Sequence, residues 1–388
     1  VGTSWDTELK EGDYIHFGAA GQNDPYAEWH RIKSVESATS LTLEEPYSGS
    51  NLSGVDYTAR KCFTAANAQE YWRSETFPKA ASVDDDLWFA TNGVDPVVYW
   101  DGSADQVTIT NFDFRCYELL RFKNMMVYAN LTTAGGEARP YSIRVSDVGD
   151  PLNVSTGLAA EFIAVEGLTE IDGLYTLADS LIIYTQRSIV TAQFVGPPLI
   201  YIFRTTVEGL GPLSGRVVAD FGDFHEFLGP DACYRFDGIG VVEVNYQVWR
   251  EILRQQDPSR MRLAHSHFDE ERGVVVWAIP RGTDPNPDQC EIGYLQHYVE
   301  DVGETTPNPF TLQDFPSTST GFYDRRTTLT FSAMVTKWSD INFRWNDQFL
   351  QAAFPFNLFG DANGNIYTLG TSDSQDGKPI ESWARFAR

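Results

Sequence analysis

Residues 174–184 run Leu174-Tyr175-Thr176-Leu177-Ala178-Asp179-Ser180-Leu181-Ile182-Ile183-Tyr184. Two short apolar segments, rich in β-branched and aromatic side chains, flank Ala178-Asp179, the signature of a tight hairpin. The form recurs on both sides. It pairs 87–90 with 97–100 around Thr91-Asn92-Gly93, and 119–122 with 125–128 around Lys123-Asn124. It pairs 224–228 with 233–236 around Gly229-Pro230-Asp231, and 265–268 with 274–277 around 270–273. The last copy pairs 356–359 with 366–369 around Asn363-Gly364.

The copies start at 87, 119, 174, 224, 265 and 356, and the last interval has room for one more around 292–315. A period of about 40–50 residues with several strands per unit is that of propeller blades. A lone hairpin cannot bury its apolar face, whereas blades stacked around an axis can. Closing the ring also removes sheet edges that would otherwise aggregate. The expectation is an all-β chain with a β-propeller of six or seven blades over residues 61–388, carrying inserted loops. The competing architecture is a string of β-sandwiches.

Residues 1–60 read differently. Segments 14–17, 29–32, 40–43 and 57–59 are short strands, and a small β-barrel or β-sandwich module is expected there. The stretch 60–83 reads as a junction. Helical patterns are confined to 65–73 and 247–255.

Composition agrees with a strand-rich chain. Of 388 residues, 42% are hydrophobic and 14% aromatic, with 31 Gly and 19 Pro to make turns. No apolar run approaches the roughly 18 residues that span a bilayer, and Val1-Gly2-Thr3-Ser4-Trp5 has no features of a secretory leader. Cys62, Cys116, Cys233 and Cys290 lie far apart with no C-x-x-C pair, so four unpaired, mostly buried thiols are expected. The formal charge of −25 argues against a protein that grips nucleic acid, because that grip needs Lys and Arg on phosphates.

Several phrases resemble the β-propeller proteins of bacteriophage tails and necks. They are Asp86 to Gly102 (DLWFATNGVDPVVYWDG), Ser146-Asp147-Val148-Gly149-Asp150-Pro151, 172–188, Gly211-Pro212-Leu213-Ser214 and 222–238. The likeness is to the tail nozzle (tail tubular) proteins of short-tailed phages and to packaged-DNA stabilisation head-closure proteins. The opening segment, 2–43, resembles a small β module of phage structural proteins. The resemblance implies a structural virion component, assembled in the host cytoplasm, forming a ring of identical copies, often six. Such a ring would gate genome release along the DNA exit channel. Its partners would be itself, adjacent tail, neck or portal-adaptor proteins, tail fibres, and viral DNA that passes without tight binding.

Candidate chemistry is sparse, and no catalytic, cofactor-binding or metal-ligating residues are expected. Asp84-Asp85-Asp86 is the most compact acidic cluster that could serve a glycosidase, which needs two carboxylates flanking a sugar; a solvated turn explains it better. His265 and His267 share a strand face, with Asp269 and Glu270 near, but a third ligand at a defined spacing is missing. Asp361-Ala362-Asn363-Gly364-Asn365 mimics part of a calcium loop and reads better as a hairpin turn. Asn130-Leu131-Thr132 and Asn153-Val154-Ser155 match glycosylation acceptors that need a secretory context to matter. The expected function is therefore structural, not enzymatic. The alternatives are a carbohydrate- or receptor-binding tail module and a propeller-type glycoside hydrolase.

Overall fold

The structure is a computed structural model that describes residues 5–17, 29–47, 57–60, 62–63, 70–78, 86–102, 107–167, 169–245, 252, 254–269, 273–297, 310–323 and 356–368, with the short segments 374–375 and 378–379. Four strands near the N-terminus, β1 (Tyr14–Phe17), β2 (His30–Ser37), β3 (Ser40–Leu43) and β4 (Tyr57–Arg60), form one antiparallel sheet in the order β3-β2-β1-β4. Ile15 and Ile32 are fully buried under it with Leu9, so this sheet has a small core of its own. The described strands here make a single sheet and no second layer.

The rest is a radial series of antiparallel sheets. The first blade holds β5 (Arg73–Phe77), β6 (Leu87–Thr91), β7 (Val98–Trp100) and β8 (Thr108–Ile109). The second holds β9 (Phe114–Phe122), β10 (Met125–Thr133), β11 (Ala138–Val145) and β12 (Ala160–Ile163). The third holds β13 (Ile171–Leu177), β14 (Ser180–Thr185), β15 (Ser188–Gly196) and β16 (Ile200–Glu208). The fourth is β17 (Val218–Asp220), β18 (His225–Leu228), β19 (Cys233–Phe236) and β20 (Val241–Asn245). The fifth is β21 (His265–Asp269), β22 (Val274–Ala278), β23 (Cys290–His297) and β24 (Phe310–Ser317). The sixth has three described strands, β25 (Ser319–Tyr323), β26 (Phe356–Gly360) and β27 (Ile366–Thr368). A two-stranded ribbon, β28 (Ser374–Gln375) with β29 (Lys378–Pro379), follows.

Strands strictly meander, and the first strands of successive blades adjoin one another: β5 meets β9, β9 meets β13, β17 meets β21, and β21 meets β25. First strands therefore lie innermost and fourth strands outermost. This is a propeller-like all-β fold, and each of the six hairpins read from the sequence falls in a different blade.

The second strand of each blade explains the packing. In β10, Met125, Val127 and Ala129 face the third blade, while Met126 and Tyr128 face the first. In β22, Val274, Val276 and Ala278 pack toward the sixth blade, while Val275 and Trp277 pack toward the fourth. Side chains alternate across a strand, so a strand sandwiched between two blades must be apolar at every position. Each fully buried Val, Leu, Ile or Phe contributes about 1.5–3 kcal/mol. That is why Leu181-Ile182-Ile183-Tyr184 shows no polar alternation. Tight turns set the register: Lys123 and Asn124 both have positive φ, 49° and 59°, in the two-residue loop that pairs Phe122 with Met125.

Three expectations need correction. Residues 60–83 are more than a junction, because β5 within them is the innermost strand of the first blade. It was illegible because Arg73-Ser74-Glu75-Thr76 presents polar groups to its surroundings. The helical pattern at 65–73 ends in that strand at Arg73, and 64–69 lie outside the described residues; at 247–255, Ile252, Arg254 and Gln255 are helical. The extra copy sought at 292–315 is β23 and β24, the outer half of the fifth blade. All four cysteines are free, three of them buried. Among the described residues no helix is long and apolar enough to cross a membrane.

Candidate functional site at the propeller axis

The polar residues that interrupt the innermost strands converge on the axis. Arg73 opens β5 and donates from Nε to Glu118 Oε1 in the middle of β9 at 3.1 Å. Arg262, on the 3-10 turn Pro258–Leu263 that enters the fifth blade, donates from Nη2 to Glu170 Oε1 at 2.7 Å. Its guanidinium lies 4.9 Å from the centre of the Tyr117 ring. Glu170 Oε1 also accepts from Asn130 Nδ2 at 3.0 Å. Tyr175 of β13 donates its hydroxyl to the Gly215 carbonyl at 2.7 Å. Gly215 must be glycine, since a Cβ there would collide with the Asp172 carbonyl oxygen of the third blade.

Arg216 is the hub. It precedes β17, is 8% exposed, and stacks its guanidinium 4.2 Å from the centre of the Tyr71 ring, two residues before Arg73. Its Nη2 donates to the Thr318 carbonyl at 2.9 Å, immediately before β25. One side chain of the fourth blade thus touches the entrance to the first blade and the entrance to the sixth, linking the ends of the series across the axis.

Burial dominates the electrostatics. It pushes the Glu118 carboxyl up, with Arg73, Arg216 and Arg262 opposing. Burial works most strongly against the charge of Arg73, but Glu118, Tyr71 and Tyr175 together outweigh it and raise the guanidinium pKa. Burial pushes Arg216 down, yet a guanidinium stays protonated in proteins. Asp172, on β13, is pushed up to about 7, first by burial and then by Glu170, with Arg262 opposing. Three buried atoms here have no hydrogen-bond partner among the described residues: Arg73 Nη2, Arg216 Nη1 and Asp172 Oδ2. A pocket of about 140 Å³ opens among Tyr71, Tyr117, Glu118, Asp172, Ser214 and Arg262. Strongly shifted groups in a cleft mark a functional-site candidate.

The sequence-level candidates lie elsewhere. Asp84, Asp85 and Glu270 fall outside the described residues, and Asp86 borders β6. His265 hydrogen-bonds the Leu263 carbonyl at 2.8 Å through Nδ1 and Ser317 Oγ at 3.1 Å through Nε2. Burial, aided by Arg216, holds it down to about 3. His267 packs its ring 4.6 Å from that of Phe322. Among the described residues no group of three or more His, Cys, Asp or Glu is placed to hold a metal ion. Asp361 folds back as a turn, its Oδ1 accepting from the Asn363 and Asn365 amides at 2.9 Å each. Asn130 is buried at the axis with its amide engaged, which excludes glycosylation there.

The blade rims form a second notable surface. Each outermost strand of the five four-stranded blades exposes one large aliphatic: Ile109 (47%), Ile163 (65%), Ile202 (49%), Val242 (67%) and Leu312 (53%). The outer edges of these strands pair with no other strand among the described residues. A flank groove of about 420 Å³ between the first two blades is lined by Tyr99, Ile109, Phe112, Asp113, Arg144 and Asn153.

Comparison with known proteins yields structural likeness alone. No protein-family model matches the chain. No curated protein matches it in sequence. Similar solved structures include a provisionally assigned 6-phosphogluconolactonase from Bacteroides uniformis, with 9% identity and a TM-score of 0.41 over 93% of this chain and 96% of that one. Another, from Bacteroides fragilis, has 10% identity and a TM-score of 0.40 over 93% and 94%. Likeness at this level carries no argument about activity.

Proposed function

We propose that this chain is a structural ring subunit, a virion component of a phage tail or neck, that assembles edge to edge with copies of itself around a DNA channel. The observation that carries the reading is the rim. Unpaired outer strands are templates for association, and proteins that stay monomeric blunt them. Here all five complete blades instead present an exposed aliphatic on that strand. Burying such a side chain against a copy gains about 1.5–3 kcal/mol each at most.

Two further features support the reading. The axis is filled by side chains that tie blades together, leaving about 140 Å³, well below the roughly 300 Å³ of ordinary ligand pockets. The charge of −25 suits a wall past which DNA slides, since like charges repel over a Debye length of about 8–10 Å. The reading involves no catalytic step and no cofactor. Its partners are copies of the chain and the neighbouring tail, neck or portal-adaptor proteins.

The test is imaging and mass measurement of the purified chain. Rings are expected, and they should revert to folded monomers when Ile109, Ile163, Ile202, Val242 and Leu312 are all replaced by lysine. A wild-type chain that stays monomeric at micromolar concentration, or that hydrolyses a glycan or sugar lactone, would sink the reading. A receptor-binding role is the second reading, favoured by the flank groove, whose size suits a small ligand and whose wall offers two aromatic faces beside polar groups. Glycan-array binding that disappears in Tyr99→Ala and Phe112→Ala would establish that role.

A further inference from the structure

Two Asn-Gly pairs occur in the chain, Asn92-Gly93 and Asn363-Gly364. In such a pair the glycine nitrogen, unshielded by a Cβ, can attack the asparagine side-chain carbon and expel ammonia. The reaction needs a carboxamide that is not held and a backbone free to fold onto it. The fold treats the two pairs oppositely.

Asn92 is 1% exposed and fixed in place. Its Nδ2 donates to Asp95 Oδ2 at 2.8 Å, and its Oδ1 accepts from the Val94 and Asp95 amides at 3.1 and 2.8 Å. The ring of Tyr117 covers Gly93, where a Cβ would come within 2.4 Å of it. Asn363 is exposed in the turn between β26 and β27. Its side chain makes one hydrogen bond among the described residues, from Nδ2 to Asp361 Oδ2 at 3.4 Å. Gly364 donates its amide to the Asp361 carbonyl at 3.3 Å. Both are longer than the usual range of about 2.7–3.2 Å. A Cβ on Gly364 would meet nothing within 4 Å, and its φ of 83° is one that glycine takes and leaves freely.

We propose that Asn363 is a site of spontaneous deamidation, converting to aspartate and isoaspartate in the folded chain while Asn92 is spared. The steps balance with water as the only co-reactant. The Gly364 nitrogen gives its proton to solvent and bonds to Asn363 Cγ. The Cγ–Nδ2 bond breaks, and ammonia leaves with a proton taken from water. Water then opens the cyclic succinimide at either carbonyl. Attack at Cγ yields aspartate, and attack at the backbone carbon yields isoaspartate, whose main chain runs through Cβ. The site lies within one blade, so it stands or falls separately from ring assembly.

Conversion loosens the turn. The Asp361 carboxylate also accepts from Asn365 Nδ2 at 3.0 Å and from the Tyr367 hydroxyl at 3.4 Å. A carboxylate at 363 removes the Nδ2 donor and sets a like charge beside Asp361. The same turn clasps the fifth blade, because the Ala362 amide donates to Gln289 Oε1 at 3.0 Å.

Peptide mapping by mass spectrometry follows both sites while the whole chain ages in mildly alkaline buffer, folded or in guanidinium chloride. In the folded chain Asn363 should convert more than about ten-fold faster than Asn92, which must wait for the first blade to open. In denaturant the two rates should be alike. Isoaspartate should accompany aspartate at 363, the mark of the succinimide. Amide hydrogen exchange on Asn363→Asp should be faster than wild type at Ala362 and unchanged in the second blade. Equal rates at the two sites in the folded chain would overturn the proposal. So would conversion of Asn363 more than about ten-fold slower folded than denatured, which would mean that the turn protects it. Aspartate without isoaspartate would overturn the succinimide route. Unchanged exchange at Ala362 would overturn the effect on the turn.

Discussion

Glu118→Gln is expected to destabilise this chain by about 3–5 kcal/mol, the cost of leaving one member of a buried ion pair without its partner. Glu118 is 4% exposed and its Oε1 accepts from Arg73 Nε at 3.1 Å. Removing its charge leaves Arg73, whose side chain is 24% exposed, and the buried Arg216 without the carboxylate that offsets their mutual repulsion. Glutamine keeps the shape, so the loss reports electrostatics and not a cavity. The double replacement Arg73→Met with Glu118→Leu should recover most of the stability, because apolar side chains of similar volume often match or exceed a buried ion pair. Urea unfolding of the wild type, Arg73→Met, Glu118→Leu and their double replacement completes a double-mutant cycle. A cost below about 1 kcal/mol for Glu118→Gln alone, the range of exposed pairs, would show that water reaches the axis. The axial network would then have no part in holding the blades.

The architecture was legible because the sandwiched strands leave an unmistakable trace. Leu181-Ile182-Ile183-Tyr184 and Val274-Val275-Val276-Trp277 are apolar on both faces, and their flanking turns are equally plain. What stayed hidden was phase. The hairpin at 174 joins the first and second strands of its blade, whereas those at 87, 224 and 356 start on the second strand. The first strands of those blades are short or polar: Arg73–Phe77 begins with four polar residues, and Val218–Asp220 has three residues in all. They border the axis, where polar side chains have partners, so the apolar signal that marks a strand fades where the propeller is narrowest.

The axial cluster was hidden for a different reason. Its members are single charged residues inside otherwise ordinary strands, such as Glu118 within Phe114–Phe122. Arg73 and Glu118 are 45 positions apart, and Arg262 and Glu170 are 92 apart. Only the stacking of blades around the axis brings them together, and no local pattern encodes that stacking. The available signal was a charged residue at a position where hydrophobic neighbours imply burial, as with Glu118 before Leu119-Leu120 or Asp172 after Ile171. The histidines at 265 and 267 drew notice because their spacing suggests ligation. The fold uses them as buried polar fillers of the fifth blade.

Asp172→Asn is expected to stabilise the chain in alkaline buffer and to leave it unchanged in acid. The native carboxyl holds its proton up to about pH 7, whereas in the unfolded chain it releases the proton near its ordinary value of about 3.9. Between those values the native state binds more protons than the unfolded state, so this residue's contribution to stability declines as pH rises through the window. A shift of about three units at 1.36 kcal/mol each sets an upper limit of about 4 kcal/mol, reached above pH 7. Asparagine keeps the shape and has no proton to lose. The difference in unfolding free energy, variant minus wild type, should therefore be near zero at pH 4, grow through pH 5–7 and level off by pH 8. Taking the difference cancels the other carboxylates. A flat difference would show that Asp172 is ionised and solvated in the native state. A negative difference at pH 8 would show that its charge is held by a cation at the axis, and Arg262 is the one that acts on it.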